Sequence, residues 1–245
     1  MIIDVHAHLG YDRVYDDNFT EADQVQKISE YEIDVTILQP ALVHTFEEVR
    51  QQHNDIYQLI QKSPDKFRGM ANPNPHLPDE VYAREVKHCI ENLGFVGIKI
   101  HTAAHGVHPG SRDGRKVFAL AQELGVPVMI HTGAGIPFAN PANILPIAQE
   151  FFDVSIVLAH SGMMVTAGET PIVLNQCENV YADITWTGGF LLKDWVLNIG
   201  AERFMFGTDH ADNCGTELSK VRTCGLSSED QDWILFKTAK KVYKL

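Results

Sequence analysis

A chain of 245 residues has the length that one barrel domain of roughly 250 residues takes, and it leaves no room for a second. Its 32 acidic against 20 basic residues give a formal charge of -12, which repels nucleic acid and anionic membrane surfaces. No apolar run approaches the roughly 20 residues of a membrane-spanning helix.

The start, Met1-Ile2-Ile3-Asp4-Val5, has neither the basic region nor the cleavage site of a signal peptide. Cys89, Cys177, Cys214 and Cys224 stand singly, without zinc-ribbon or redox spacing. The expectation is a cytoplasmic protein with reduced thiols.

In chain order, Ile2 to Ala7 reads as a first strand and Asp34 to Leu38 as a second. An amphipathic helix over Phe46 to Gln61 leads to a third strand, Phe67 to Ala71. A helix from Asp79 to Asn92 stops at Gly94, before a strand over Phe95 to His101. The helix Arg115 to Leu124, ended by Gly125, is followed by strands at Pro127 to His131, Ser155 to His160, Val180 to Ile184 and Phe204 to Gly207. Ser227 with Asp230 marks a helix start, and Asp232 to Tyr243 forms a closing helix. This alternation predicts an α/β fold, a single (β/α)8 TIM barrel over residues 1–245. An open doubly wound sheet would show the same alternation. Closure is favoured because the polar strand ends described next come from the whole length of the chain.

The first strand ends Asp4-Val5-His6-Ala7-His8, and the two-residue period of a strand puts Asp4, His6 and His8 on one face. Three later apolar runs end in His131, His160 and Asp209. Four imidazoles and one carboxylate therefore gather at the rim where barrel enzymes assemble their sites. Nitrogen and oxygen donors without thiolates match a catalytic zinc site rather than a closed structural one. Any one of these histidines alone reads equally well as a buried side chain satisfying backbone carbonyls.

His6-x-His8, the strand ends at His131 and His160, and Gly207-Thr208-Asp209 resemble the amidohydrolase superfamily. The stretches Gly94-Phe95-Val96-Gly97-Ile98-Lys99-Ile100-His101 and Leu124 to Gly133 resemble, more narrowly, its branch containing aminocarboxymuconate semialdehyde decarboxylase. The resemblance implies one divalent ion, zinc by expectation, on His6, His8, His131 and Asp209, with His160 and Asp209 handling protons. It also implies that a carboxylated Lys99 would bridge a second ion, with His131 and His160 as ligands. The alternative kept for Lys99 is a cationic side chain that meets a substrate carboxylate. The resemblance further implies a homodimer.

His101, His105 and His108 after the fourth strand, His44 after the second, and His210 are rim candidates that read equally as solvated loop residues. Trp186 is placed to wall a flat substrate or simply to pack. The expected partner is a small-molecule substrate.

Metal-activated water acting on an amide, lactone or ester-like bond is the first functional expectation. Non-oxidative decarboxylation of an aromatic or unsaturated acid is the alternative. It is disfavoured at this stage because no strand end supplies an arginine to grip the carboxylate. A barrel that binds without catalysis, or works without metal, is the third reading.

Overall fold

The computed structural model describes residues 1–245. Its nine strands are β1 (Ile3–Asp12), β2 (Asp17–Phe19), β3 (Val35–Pro40), β4 (Phe67–Ala71), β5 (Gly97–Ile100), β6 (Val128–His131), β7 (Ile156–Ala159), β8 (Val180–Asp183) and β9 (Phe204–Met205). They form one mixed α/β sheet, in the order β2-β1-β3-β4-β5-β6-β7-β8-β9. Every pairing is parallel except the β1–β2 hairpin. The eight predicted strands are all present. β1 runs five residues past Ala7, and the hairpin strand β2 was not foreseen because Asp17-Asn18-Phe19 has no apolar run to announce it.

The two ends of the sheet meet. Val5 N–H donates to Phe206 O at 3.0 Å, and Asp209 N–H donates to His6 O at 2.6 Å. Ala7 and Asp209 form a parallel bridge.

Strands covered on both faces read as unbroken apolar runs, which is why the sequence betrays them. Register then sorts their side chains. Lys99 lies beside Met129, Met129 beside Val157, and Val157 beside Tyr181. Met129, Val157 and Tyr181 belong to a small inner core with Ile3, Val5, Ile37 and Met70. The alternate residues, such as Ile98, Ile130 and Leu158, join a larger outer core of 46 buried residues against the helices. His101 and His131 share the parity of Lys99 and Met129 on their strands, so they project to the inner side.

The helices are fixed by local chemistry. Thr20 and Thr45 form capping boxes with Asp23 and Glu48. The helix Phe46–Lys62 buries Val49, Gln52, His53, Ile56 and Leu59 along one stripe. Gly94 and Gly125 take left-handed backbone where the sequence marks helix ends. The predicted Asp79 to Asn92 helix ends its α turns at Lys87 and finishes as one π turn, His88–Asn92. The closing helix starts at Ser228 behind the Ser227 cap that the sequence marks, and contains a π turn over Trp233–Lys237. All four cysteines are free thiols. No helix is long and apolar enough to cross a membrane.

Asp4 does not join His6 and His8 as alternation predicted, because the β1 register shifts between Asp4 and Ala7. Its carboxylate instead accepts from Lys27 Nζ at 2.6 Å and from Thr208 Oγ1 at 2.8 Å, with no exposure to solvent. This ion pair lies where the last strand returns to the first. Lys27→Met removes the cation and leaves the buried carboxylate behind, so it is expected to cost roughly 3 kcal/mol. In a chain of this length that is a fall in Tm of about 6–12 °C, read by thermal unfolding. An unchanged Tm would show that the hydroxyl and N–H donors around Asp4 suffice alone.

Candidate metal centre

His6 and His8 leave β1 on the same side, and hydrogen bonds determine which nitrogen of each ring is free. His6 Nδ1 lies 2.7 Å from Asp183 Oδ2, so Nδ1 carries the proton and Nε2 a lone pair. His8 Nδ1 faces the carbonyl of Pro40 at 3.3 Å, with the same result. The Thr185 hydroxyl donates to Asp183 at 2.8 Å and so accepts from His160 Nδ1, also at 2.8 Å. The lone pair of His160 is again on Nε2. Three imidazoles are thus held in one tautomer by partners behind them, the arrangement found around metal-binding histidines.

The free nitrogens converge on a carboxylate. His6 Nε2 and His8 Nε2 lie 3.3 and 3.2 Å from the same oxygen, Asp209 Oδ1. Asp209 Oδ2 accepts from Trp186 Nε1 at 2.8 Å. Two imidazole lone pairs face a carboxylate oxygen with no proton between them, and the Lys99 Nζ, 3.0 Å from His6 Nε2, reaches only the first of the two. His131 lines the same cavity, buried, with neither ring nitrogen partnered. A divalent cation answers both facts, and nitrogen and oxygen donors are the set that zinc or manganese accepts. The residues present therefore fit a metal ion.

The predicted ligands are not equally gathered. His6, His8 and Asp209 form one compact group, and His6, His160 and Asp183 form another that shares His6. His131 stands off these groups. It is stacked on His101 with ring centroids 4.0 Å apart and edge-on to His160 at 4.9 Å.

Lys99 is almost wholly buried, and its Nζ is 3.0 Å from His6 Nε2. Burial lowers its pKa to about 8. Burial also pushes His6 and His131 well below the ordinary histidine range and His160 down to about 3, so these rings are neutral at physiological pH.

The cavity holds about 240 Å³. Tyr15, Phe19, Leu42, Met163 and Trp186 wall it, and Lys99 is the one lysine or arginine among its lining residues. Phe19 comes from the unforeseen hairpin and sits against His8 and His210, with ring centroids 5.2 and 5.0 Å apart. His210 is a lining residue, whereas His44 and His105 line a neighbouring cavity. His108 serves its own loop by accepting from Gly110 N–H.

His160, Ser161, Trp186 and Asp209 all take left-handed backbone. Such conformations cost of order 1–3 kcal/mol each for side chains other than glycine. Here they turn the chain at successive strand ends so that polar groups face the cavity.

Asp183 escaped sequence reading although its strand was identified. It shares the inner parity of Tyr181 and ends an apolar run, as His131 does, and that was the available signal. Gly207 belongs to the same neighbourhood. A Cβ there would lie 2.7 Å from Asp183 Oδ1 and 2.9 Å from His6 Cβ, both pinned atoms. Gly207→Ala is expected to cost about 1–3 kcal/mol and to lower metal content, read by thermal unfolding and elemental analysis. A variant with wild-type values for both would mean that the His6–Asp183 pair gives way freely.

The amidohydrolase family profile matches residues 3–245. No curated protein matches the chain. Among solved structures, a 2,6-dihydroxybenzoate decarboxylase from Rhizobium superposes with a TM-score of 0.77 at 17% identity, covering 99% of this chain and 98% of that one. A dihydroxybenzoic acid decarboxylase from a Polaromonas species, with bound manganese and the inhibitor 2-nitroresorcinol, has a TM-score of 0.76 at 18% identity, covering 100% and 97%. A 4-oxalomesaconate hydratase from Rhodopseudomonas palustris has a TM-score of 0.74 at 17% identity, covering 100% and 96%. At these identities the likeness speaks for the fold, while the profile match over nearly every residue decides the kinship: the chain belongs to the amidohydrolase family.

Proposed function

We propose that this chain is a metal-dependent carboxy-lyase that removes CO2 from a small aromatic or unsaturated carboxylic acid without oxidation. The reading takes residues 1–245 as one closed (β/α)8 barrel. The observation that carries it is the buried Lys99 beside the His6, His8 and Asp209 group, which would bring a substrate carboxylate up to the candidate metal ligands. The sequence favoured hydrolysis for want of an arginine, and Lys99 answers that objection. The decarboxylases among the structural neighbours lend further support, and so does the cavity, whose size suits a single substituted ring between aromatic walls.

A divalent cation on His6, His8, His131 and Asp209, zinc or manganese, would supply the charge that polarises a substrate oxygen. The protein groups do the rest. Lys99 pairs with the departing carboxylate, and Tyr15, Phe19 and Trp186 hold the ring flat and exclude water. As the carbon–carbon bond breaks, its electron pair stays on the ring carbon, CO2 leaves, and a proton takes the vacated position. His160 is neutral, and its Nε2 lone pair faces the cavity, so it relays to that carbon a proton it first takes from a substrate hydroxyl or from solvent. Asp209, which shares the group, assists the transfer. The hydroxyl of Tyr15 and the ring of His101 are the remaining groups placed to select substituents.

Metal-loaded protein incubated in D2O with 2,6-dihydroxybenzoate or related hydroxybenzoic acids is expected to release CO2. It should also place one deuterium on the carbon that bore the carboxyl group, seen by NMR and mass spectrometry. Incorporation of water oxygen into a product formed without CO2 would establish hydrolysis instead.

A further inference from the structure

A second cavity of about 240 Å³ opens on the same rim and shares the side chain of Leu42 with the catalytic one. Phe46, Val49 and Leu77 give it apolar walls, and Asn72 and His105 give it polar ones. Asn72 is 2% exposed, and neither its amide nitrogen nor its carbonyl oxygen has a partner. His105 Nδ1 is also unpartnered.

A buried carboxamide with both ends open is costly, and this one is held in place. The Asn72 backbone N–H donates to His53 Nε2 at 3.1 Å, and His53 Nδ1 in turn meets Glu85 at 2.8 Å. Both nitrogens of His53 are thereby used, so the His53, Glu85 and Cys89 cluster is a clamp on Asn72 and not a metal site. The clamp fixes the backbone and leaves the terminal torsion of the side chain soft, free to turn its donor and acceptor to a ligand.

We propose that this cavity is a binding site for a flat, uncharged group carrying an adjacent N–H and C=O, such as a lactam or carboxamide. Asn72 offers the complementary acceptor and donor side by side, His105 adds a further hydrogen-bonding nitrogen, and the apolar walls cover the faces of the ring. None of the lining residues is a lysine or arginine. The site does not depend on the metal chemistry.

Isothermal titration with 2-pyridone tests the assignment. Wild-type protein should bind it, and N-methyl-2-pyridone, which lacks the N–H, should bind at least about tenfold more weakly, the equivalent of one hydrogen bond. Asn72→Leu should lose a similar factor, and His105→Phe, which keeps a ring in place, provides a second variant if Asn72→Leu fails to fold. Binding to Asp209→Asn protein should match wild type. Equal affinity for both pyridones, equal affinity in wild type and the folded variants, or no binding at millimolar concentration would overturn the proposal. Loss of binding in Asp209→Asn alone would place 2-pyridone in the metal cavity and overturn it as well, whatever the outcome of the decarboxylation assay.

Discussion

Asp209→Asn protein is expected to purify folded, nearly free of metal and with activity reduced by about 1,000-fold or more, because it removes the only carboxylate that faces His6 Nε2 and His8 Nε2. The substitution keeps the shape of the side chain. Its carbonyl oxygen can still accept from Trp186 Nε1, which leaves the amide hydrogens pointing at the two imidazole lone pairs. Those hydrogens supply the positive charge that the proposed cation would supply in the native site. The variant should therefore be at least as stable as metal-free wild type, while wild type alone gains stability when zinc or manganese is added, since a ligand that binds only the folded state raises Tm. Elemental analysis after dialysis, with Tm measured at several metal concentrations, checks both halves. A variant that keeps a full equivalent of metal and its turnover would show that the imidazoles bind without the carboxylate.

How much of this centre the sequence disclosed depends on which kind of residue is asked about. His6, His8, His131, His160 and Asp209 are legible because each interrupts or ends an apolar run, and an unpaired polar side chain in such a place demands a reason. Lys99 was legible for the same cause. The strands were found because residues such as Val128-Met129-Ile130 are apolar on both faces, but for that very reason the run does not disclose which face is inner. That choice comes from register between strands distant in sequence, and it brings Asp183 beneath His6. Lys27 shows another limit. It lies in a helix of ordinary amphipathic pattern, where a lysine is expected to reach solvent, and only the return of the last strand to the first provides the buried Asp4 and Thr208 that hold it. Phe19 was hidden because a three-residue hairpin strand has no periodicity to detect.

Asp183→Asn is expected to weaken metal binding by about 10- to 100-fold and to lower turnover in step, although Asp183 need not touch either metal or substrate. As a carboxylate it faces only donors: His6 Nδ1–H at 2.7 Å, the Thr185 hydroxyl at 2.8 Å, and the backbone N–H groups of Thr185 and His160 at 3.0 and 3.4 Å. An asparagine has one acceptor oxygen for these donors, and its amide group must point at one of them. If the amide turns toward His6, the imidazole gives up the Nδ1 proton to accept, and the proton moves to Nε2. A protonated Nε2 can neither bind a cation nor leave the lone pair that Asp209 confronts. If the amide takes the other position, the oxygen keeps His6 and the Thr185 hydroxyl, and only the backbone N–H of Thr185 loses its acceptor, at a cost of roughly 1–3 kcal/mol for a buried group left unsatisfied. The first orientation is the one that acts on metal binding, through the His6 tautomer, so the informative readout is that tautomer. Nitrogen NMR of the metal-free protein should find the His6 proton on Nδ1 in wild type and shifted toward Nε2 in the variant, alongside the fall in affinity measured by metal titration. Unchanged His6 resonances together with unchanged affinity would remove Asp183 from any part in the centre, and the convergence of imidazole lone pairs on Asp209 would then need another cause.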